Sequence, residues 1–199
     1  MRWLFLFTMS KRSKTCLHHA LIAVISALVY GLAFWLNDVF TSWLLFKQGV
    51  ALIYLPAGVK LLALLIGGWP AAVGVGLTWW ALSFGFWPQL SAPVLLGAAA
   101  ISAGSTWLVL HVWLRVWRMG RDLKHLNFSR LLWLDASASV IHGWLMNGYY
   151  FGVGARELSE VPSTAWGMAL GDFMGSGLTL LGLIMALRWS PLRHRLSNR

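Results

Sequence analysis

Residues 47–86 read KQGVALIYLPAGVKLLALLIGGWPAAVGVGLTWWALSFGF, and within them only Lys47 and Lys60 are charged. A helix needs about 20 apolar residues to cross the ~30 Å hydrocarbon core of a bilayer. This stretch supplies two such lengths, separated by Gly67-Gly68-Trp69-Pro70. Glycine reaches backbone angles closed to other residues, and proline cannot continue a helix. The four residues therefore predict a tight turn between one span at 47–66 and another at 71–86.

The pattern continues on both sides. Further apolar runs cover 17–36, 93–113, 131–152 and 165–187, and each is closed by polar residues, glycine, proline or tryptophan. The expected fold is all-α: a polytopic membrane protein, a six-helix transmembrane bundle forming a single integral membrane domain over residues 1–199. Lys11 to Lys14 before an apolar run resemble a signal peptide, but no small-residue cleavage site follows. An uncleaved first span is expected. The middle of 93–113 (Gly97, Ala98, Ala99, Ala100, Ser102, Ala103, Gly104, Ser105) predicts close approach of a neighbouring helix.

Composition leads to the same class. Of 199 residues, 58% are hydrophobic and 11% charged, against about 25% charged in an ordinary soluble domain. Too little polar surface exists to face water, which excludes a water-soluble enzyme and a disordered chain. The net charge of +10 would suit nucleic acid if it were spread over a surface, but it is gathered in three clusters. These are Arg2, Lys11, Arg12 and Lys14; Arg115, Arg118, Arg121, Lys124 and Arg130; and Arg188, Arg193, Arg195 and Arg199. Each cluster abuts an apolar run, as cytoplasmic loops do. Both termini are thus expected in the cytoplasm, in the inner membrane of a bacterium, with the lipid bilayer and no nucleic acid as partner. The single cysteine, Cys16, excludes an internal disulfide and a cysteine-rich metal site.

Charged groups inside a span cost about 2.5–3.5 kcal/mol each on insertion scales, so each needs a partner or a task. Lys60, Asp135, His142 and Asp172 stand out. Lys60 falls near the middle of its span, and a lysine stem can reach several ångströms either way. Asp172, the deeper carboxylate, is its favoured partner, with Asp135 the other candidate. Such a group is either an ion pair fixing helix register or a binding pocket. Gly175-Ser176-Gly177 with His142 invites comparison with a serine protease, but the histidine span precedes the serine span and no oxyanion loop follows, so no catalytic residue is expected. His111 and His142 differ too much in depth to share one metal, so no metal or cofactor is expected. Gly171-x-x-x-Gly175 is expected to be a packing ridge at a close helix crossing. Pro56 and Gly58 are expected to break the second span beside Lys60, freeing carbonyl groups that often line a cavity. Most tryptophans fall at span ends as interfacial anchors. Trp79, Trp80, Trp107 and Trp144, with Tyr54, either line a pocket or face lipid.

Three segments occur in order: Tyr54-Leu55-Pro56-Ala57-Gly58, then Gly67-Gly68-Trp69-Pro70-Ala71-Ala72-Val73-Gly74, then Gly171-Asp172-Phe173-Met174-Gly175. Together they resemble the membrane-associated sensor (MASE) domain of the first type, a module that stands before cyclases, phosphodiesterases and kinases. The resemblance covers about 30 residues and differs in having Tyr54 where tryptophan is usual. It implies that Pro56, Ala57, Gly58, Gly171, Asp172 and Gly175 belong to the core of a sensing unit. The expected function is a non-enzymatic sensor-like module that binds a small ligand or a membrane partner through Tyr54–Lys60 and Gly171–Gly175. The signal would pass to a separate effector, or to anionic lipid, at Arg115, Arg118, Arg121 and Lys124. A substrate-binding subunit of a transporter and a structural subunit of a membrane complex are the alternatives.

Overall fold

In hydrocarbon every backbone N–H and C=O must be satisfied within the chain, so long uncharged runs fold as helices. The structure, a computed structural model, describes residues 11–119, 123 and 126–189. Five α-helices dominate it: α1 (Lys11–Thr41), α2 (Leu55–Phe86), α3 (Ala92–Val116), α4 (Phe128–Gly152) and α5 (Val161–Trp189). A two-stranded antiparallel hairpin, β1 (Leu45–Lys47) and β2 (Val50–Ala51), lies between α1 and α2. The all-α architecture is as expected, but the count of six separate spans is corrected. Among the described residues four helices are long and apolar enough to cross a membrane: α1, α2, α3 and α5. α4 is long enough but falls short in hydropathy, because Arg130, Asp135, His142 and Asn147 lie within it. Residues 55–66 of the first run and the run 71–86 are joined into the single element α2.

α2 is nevertheless not one straight rod. Its 32 residues would span ~48 Å at 1.5 Å per residue. Yet the Tyr54 ring, just before its first residue, and the Phe86 ring, at its last, both meet Phe34 of α1 edge-on, at 6.2 and 5.2 Å between centroids. The chain reverses at Gly68, whose φ of 63° and ψ of −144° leave the helical region. The first arm, 55–67, runs antiparallel to α1, and the second, 69–86, runs back parallel to it. At the turn, Trp69 meets His19 of α1 edge-on at 5.0 Å; higher up, Thr78 Oγ1 donates to the Ala27 carbonyl at 3.3 Å. Those backbone angles are nearly closed to residues with a Cβ, at about 1–3 kcal/mol. Gly68→Ala is expected to lower stability by about that amount in thermal unfolding from detergent micelles, although nothing lies within 4 Å of the added methyl.

The second correction concerns residues 47–54. They form no helix; they make β1, β2 and an extended segment that descends along α5. The Gly49 turn has φ of 75°. Tyr54 N–H donates to the Gly171 carbonyl at 3.0 Å, and Thr179 Oγ1 donates to the Leu55 carbonyl at 2.9 Å. Pro56 therefore does not break a helix. It sits in the first turn of α2, where its missing N–H leaves no bond unmade. The N–H of Leu55 is satisfied by Asn37 Oδ1 of α1 at 2.8 Å. α1 in turn runs past the expected end at 36 to Thr41, whose hydroxyl donates to the Asn37 carbonyl.

Two buried clusters stack along the bundle. One gathers Tyr30, Leu61, Leu64, Val75, Leu110 and Leu134; the other gathers Val50, Trp87, Leu95, Met146 and Tyr150. The small side chains of α3, Ala98, Ala99, Ser102 and Ala103, are buried. Large apolar side chains face outward instead: Leu28 is 68% exposed and Ile66 79%, an arrangement stable in lipid and unfavourable in water. The start of α1, the Gly68 turn, the end of α3 and the start of α4 share one end, which holds Arg115, Arg118 and Arg130. The other end carries the β hairpin and the loop between α4 and α5.

Candidate functional site

The site begins at three glycines. A Cβ at Gly171 would collide with the Ala51 carbonyl oxygen, and one at Gly175 with the backbone of Tyr54. The ridge expected to seat a helix thus seats an extended backbone. Gly58, in the first turns of α2, comes equally close to Ser176 and Thr179. The Tyr54–Gly58 and Gly171–Gly175 segments are therefore packed against each other, and they bring Lys60 of α2 and Asp172 of α5 into one buried group.

That group contains Lys60, Asp135, His142 and Asp172, each at most 5% exposed. His142 Nδ1 is 2.6 Å from Asp172 Oδ2. A carboxylate only accepts, so the ring nitrogen donates. This changes the expected pairing, in which Lys60 was the partner of Asp172. Lys60 lies within coulombic range of both Asp172 and Asp135, but among the described residues its ammonium has no hydrogen-bond partner. The same holds for His142 Nε2 and the Ser176 hydroxyl. Three buried polar atoms with unmet bonds beside two carboxylates form a strained polar centre. Among the described residues no three His, Cys, Asp or Glu side chains are grouped to hold a metal.

Above this centre lies a cavity of about 120 Å³, large enough for several waters or a small molecule. Its walls are aromatic: Phe34 of α1, Tyr54, Trp79 and Phe86 of the α2 segment, Trp87, and Tyr150 of α4. Its floor includes His142 and Asp172, and Asp38 joins its lining from α1. Tyr54 hydroxyl is 2.9 Å from that of Tyr30, and the Trp87 and Tyr150 rings lie 4.6 Å apart. The wall is thus tied to its surroundings by polar tips and ring contacts.

Arg156 closes the adjoining loop. It donates to Asn147 Oδ1 at 2.6 Å and to the Gln48 carbonyl at 2.9 Å, and its guanidinium lies 5.8 Å from the Tyr150 ring centre. Burial pushes this guanidinium below its ordinary pKa, with Glu160 opposing. Glu160 itself pairs with Lys47 of the β hairpin. Reading the sequence missed Arg156, Asn147, Phe34 and Trp87 as parts of the site. Asn147, an amide inside an apolar run, was the one available signal.

Of the sequence-predicted residues, Tyr54, Pro56, Gly58, Lys60, Asp135, His142, Gly171, Asp172 and Gly175 come together here. Arg115 and Arg118 lie at the opposite end, Arg115 near the rim of a second pocket with His18, His19 and His111. Arg121 and Lys124 lie outside the described residues. Of the inner tryptophans, Trp79 lines the cavity, whereas Trp107 stacks on His111 at 5.3 Å and Trp144 is exposed.

No protein-family model matches this chain, and neither a curated protein nor a solved structure matches it.

Proposed function

We propose that the chain is a non-enzymatic membrane receptor that admits a small ligand to the aromatic cavity and passes the response to a separate effector at its basic end. The observation that carries this is the cavity itself: six aromatic side chains leading to a buried His142–Asp172 pair. Concave, mostly apolar sites with a few convergent polar groups are where small ligands bind. Ligand binding at the floor would act on α4 and α5 directly and on α2 through Lys60, and the turn of α2 lies beside the end of α3. The receptor role agrees with what the three sensor-like segments imply, and two of those segments build the site together.

In this reading the apolar helices α1, α2, α3 and α5 lie in the inner membrane of a bacterium, with the basic end in the cytoplasm. The gathering of lysine and arginine at one end of the bundle supports that orientation.

Ser83, buried at 3% exposure in the cavity wall, provides the test. Ser83→Phe would fill the cavity without touching the polar centre. Native mass spectrometry of the purified wild-type protein is expected to retain a small molecule that Ser83→Phe lacks, and liposomes carrying the protein should move none of it in counterflow. Movement of that molecule would make the chain a transporter subunit. Retention unchanged by Ser83→Phe would place the ligand elsewhere and remove the basis for the receptor reading.

A further inference from the structure

The cavity and the polar centre beneath it hold more acidic than basic side chains: Asp38, Asp135 and Asp172 against Lys60 and His142. Counted formally, with both carboxylates ionised and His142 neutral and donating through Nδ1, the centre sets one ammonium, Lys60, against Asp135 and Asp172. An uncompensated buried charge is unfavourable, and more so in lipid than in water. Within the described residues the cavity is lined by two acids, Asp38 and Asp172, and by no lysine or arginine. Phe34, Tyr54, Trp79, Phe86, Trp87 and Tyr150 line it as well, and aromatic faces attract cations within about 6 Å. Tyr150 already has the Arg156 guanidinium near its ring, so one wall of the cavity is seen beside a cation in the protein itself.

From these observations we infer that the cavity takes a small organic monocation, an ammonium on an aromatic or apolar body, whose charge offsets the excess at Asp172 and whose body lies among the six rings. This deepens the receptor reading above and rests on it. The ammonium supplies the positive charge that the centre lacks. An anionic ligand would add to the excess. A neutral one of the same shape would use the rings alone.

Three probes with one aromatic body separate these cases: phenethylammonium, phenethyl alcohol and phenylacetate. Each is titrated into the full-length protein in lipid nanodiscs, with binding read by calorimetry and by tryptophan fluorescence, since Trp79 and Trp87 stand in the wall. Phenethylammonium is expected to bind at least about tenfold tighter than the alcohol, as one desolvated cation–aromatic contact suffices for that ratio; phenylacetate should not saturate. In Asp172→Asn the preference for the ammonium over the alcohol should fall about tenfold or more. The comparison among probes on the wild-type chain needs no variant, so it stands even if Asp172→Asn does not fold. Equal binding of ammonium and alcohol would overturn the cation inference while leaving the cavity as a ligand site. Tighter binding of phenylacetate would also overturn it, and no saturable binding of any probe would overturn both.

Discussion

Lys60→Met is expected to destabilise the protein by about 3–5 kcal/mol, because removing one member of a buried ionic group leaves uncompensated charge behind. Methionine keeps most of the volume, so the loss is electrostatic rather than a cavity. Without the ammonium, Asp135 and Asp172 repel each other within the buried centre, and among the described residues neither has a cation to offset it. Asp135→Asn in the same chain restores the wild-type balance of charge. The double variant should therefore recover at least half of the lost stability, a coupling well beyond the ~0.5 kcal/mol within which independent sites add. Unfolding in mixed micelles of detergent and denaturant reads both values. If Lys60→Met alone stays within about 1 kcal/mol of wild type, Lys60 is not part of one electrostatic unit with the carboxylates.

Gly171→Ala should act through geometry alone. The new Cβ would meet the Ala51 carbonyl oxygen, which belongs to backbone held by the Tyr54–Gly171 hydrogen bond and cannot swing aside as a side chain can. Overpacking typically costs about 1–3 kcal/mol, and contact with fixed backbone puts this variant at the upper end. The extended segment would be displaced, and with it Ala51 and Tyr54 from the cavity wall, so ligand binding should fall with stability. Gly177→Ala on the same helix is the control. Nothing lies within 4 Å of its added methyl, and alanine in a helix gains about 0.5–1 kcal/mol over glycine. The two variants should thus shift the unfolding midpoint in opposite directions. Equal shifts would mean that the segment does not rest on α5.

Much of the fold was legible because hydrocarbon burial leaves long uninterrupted runs in the sequence. The turn at Gly67–Pro70 was readable from residue type, since Gly68 adopts backbone angles that few other residues tolerate. The segment at 47–54 was not readable. Its residues are as apolar as a helix, and only contact with the glycine ridge of α5 draws them into an extended path. Small residues four apart announce that something approaches closely, but not whether it is a helix or a strand. Pro56 was misplaced for the same reason: a proline reads as a helix break or a helix start depending on where the helix begins.

Within the site, Lys60, Asp135, His142 and Asp172 were recognisable one by one, because a charge in a span is conspicuous. Their pairing was not. His142, rather than Lys60, bonds Asp172, and that choice depends on the relative rotation of α4 and α5. The cavity wall was least legible. Phe34, Trp87 and Tyr150 lie far apart in sequence, and aromatic residues at span ends serve equally well as membrane anchors.

Sidedness bears most directly on whether the cavity can receive a ligand from outside while the basic end reports inside. With the exposed Cys16 changed to serine, single cysteines at Glu157 and at Arg115 can be labelled in intact cells with a membrane-impermeant maleimide. Glu157→Cys, in the loop at the cavity end, is expected to react at once, and Arg115→Cys only after the membrane is permeabilised. Labelling of Arg115→Cys in intact cells, with Glu157→Cys protected, would contradict the account.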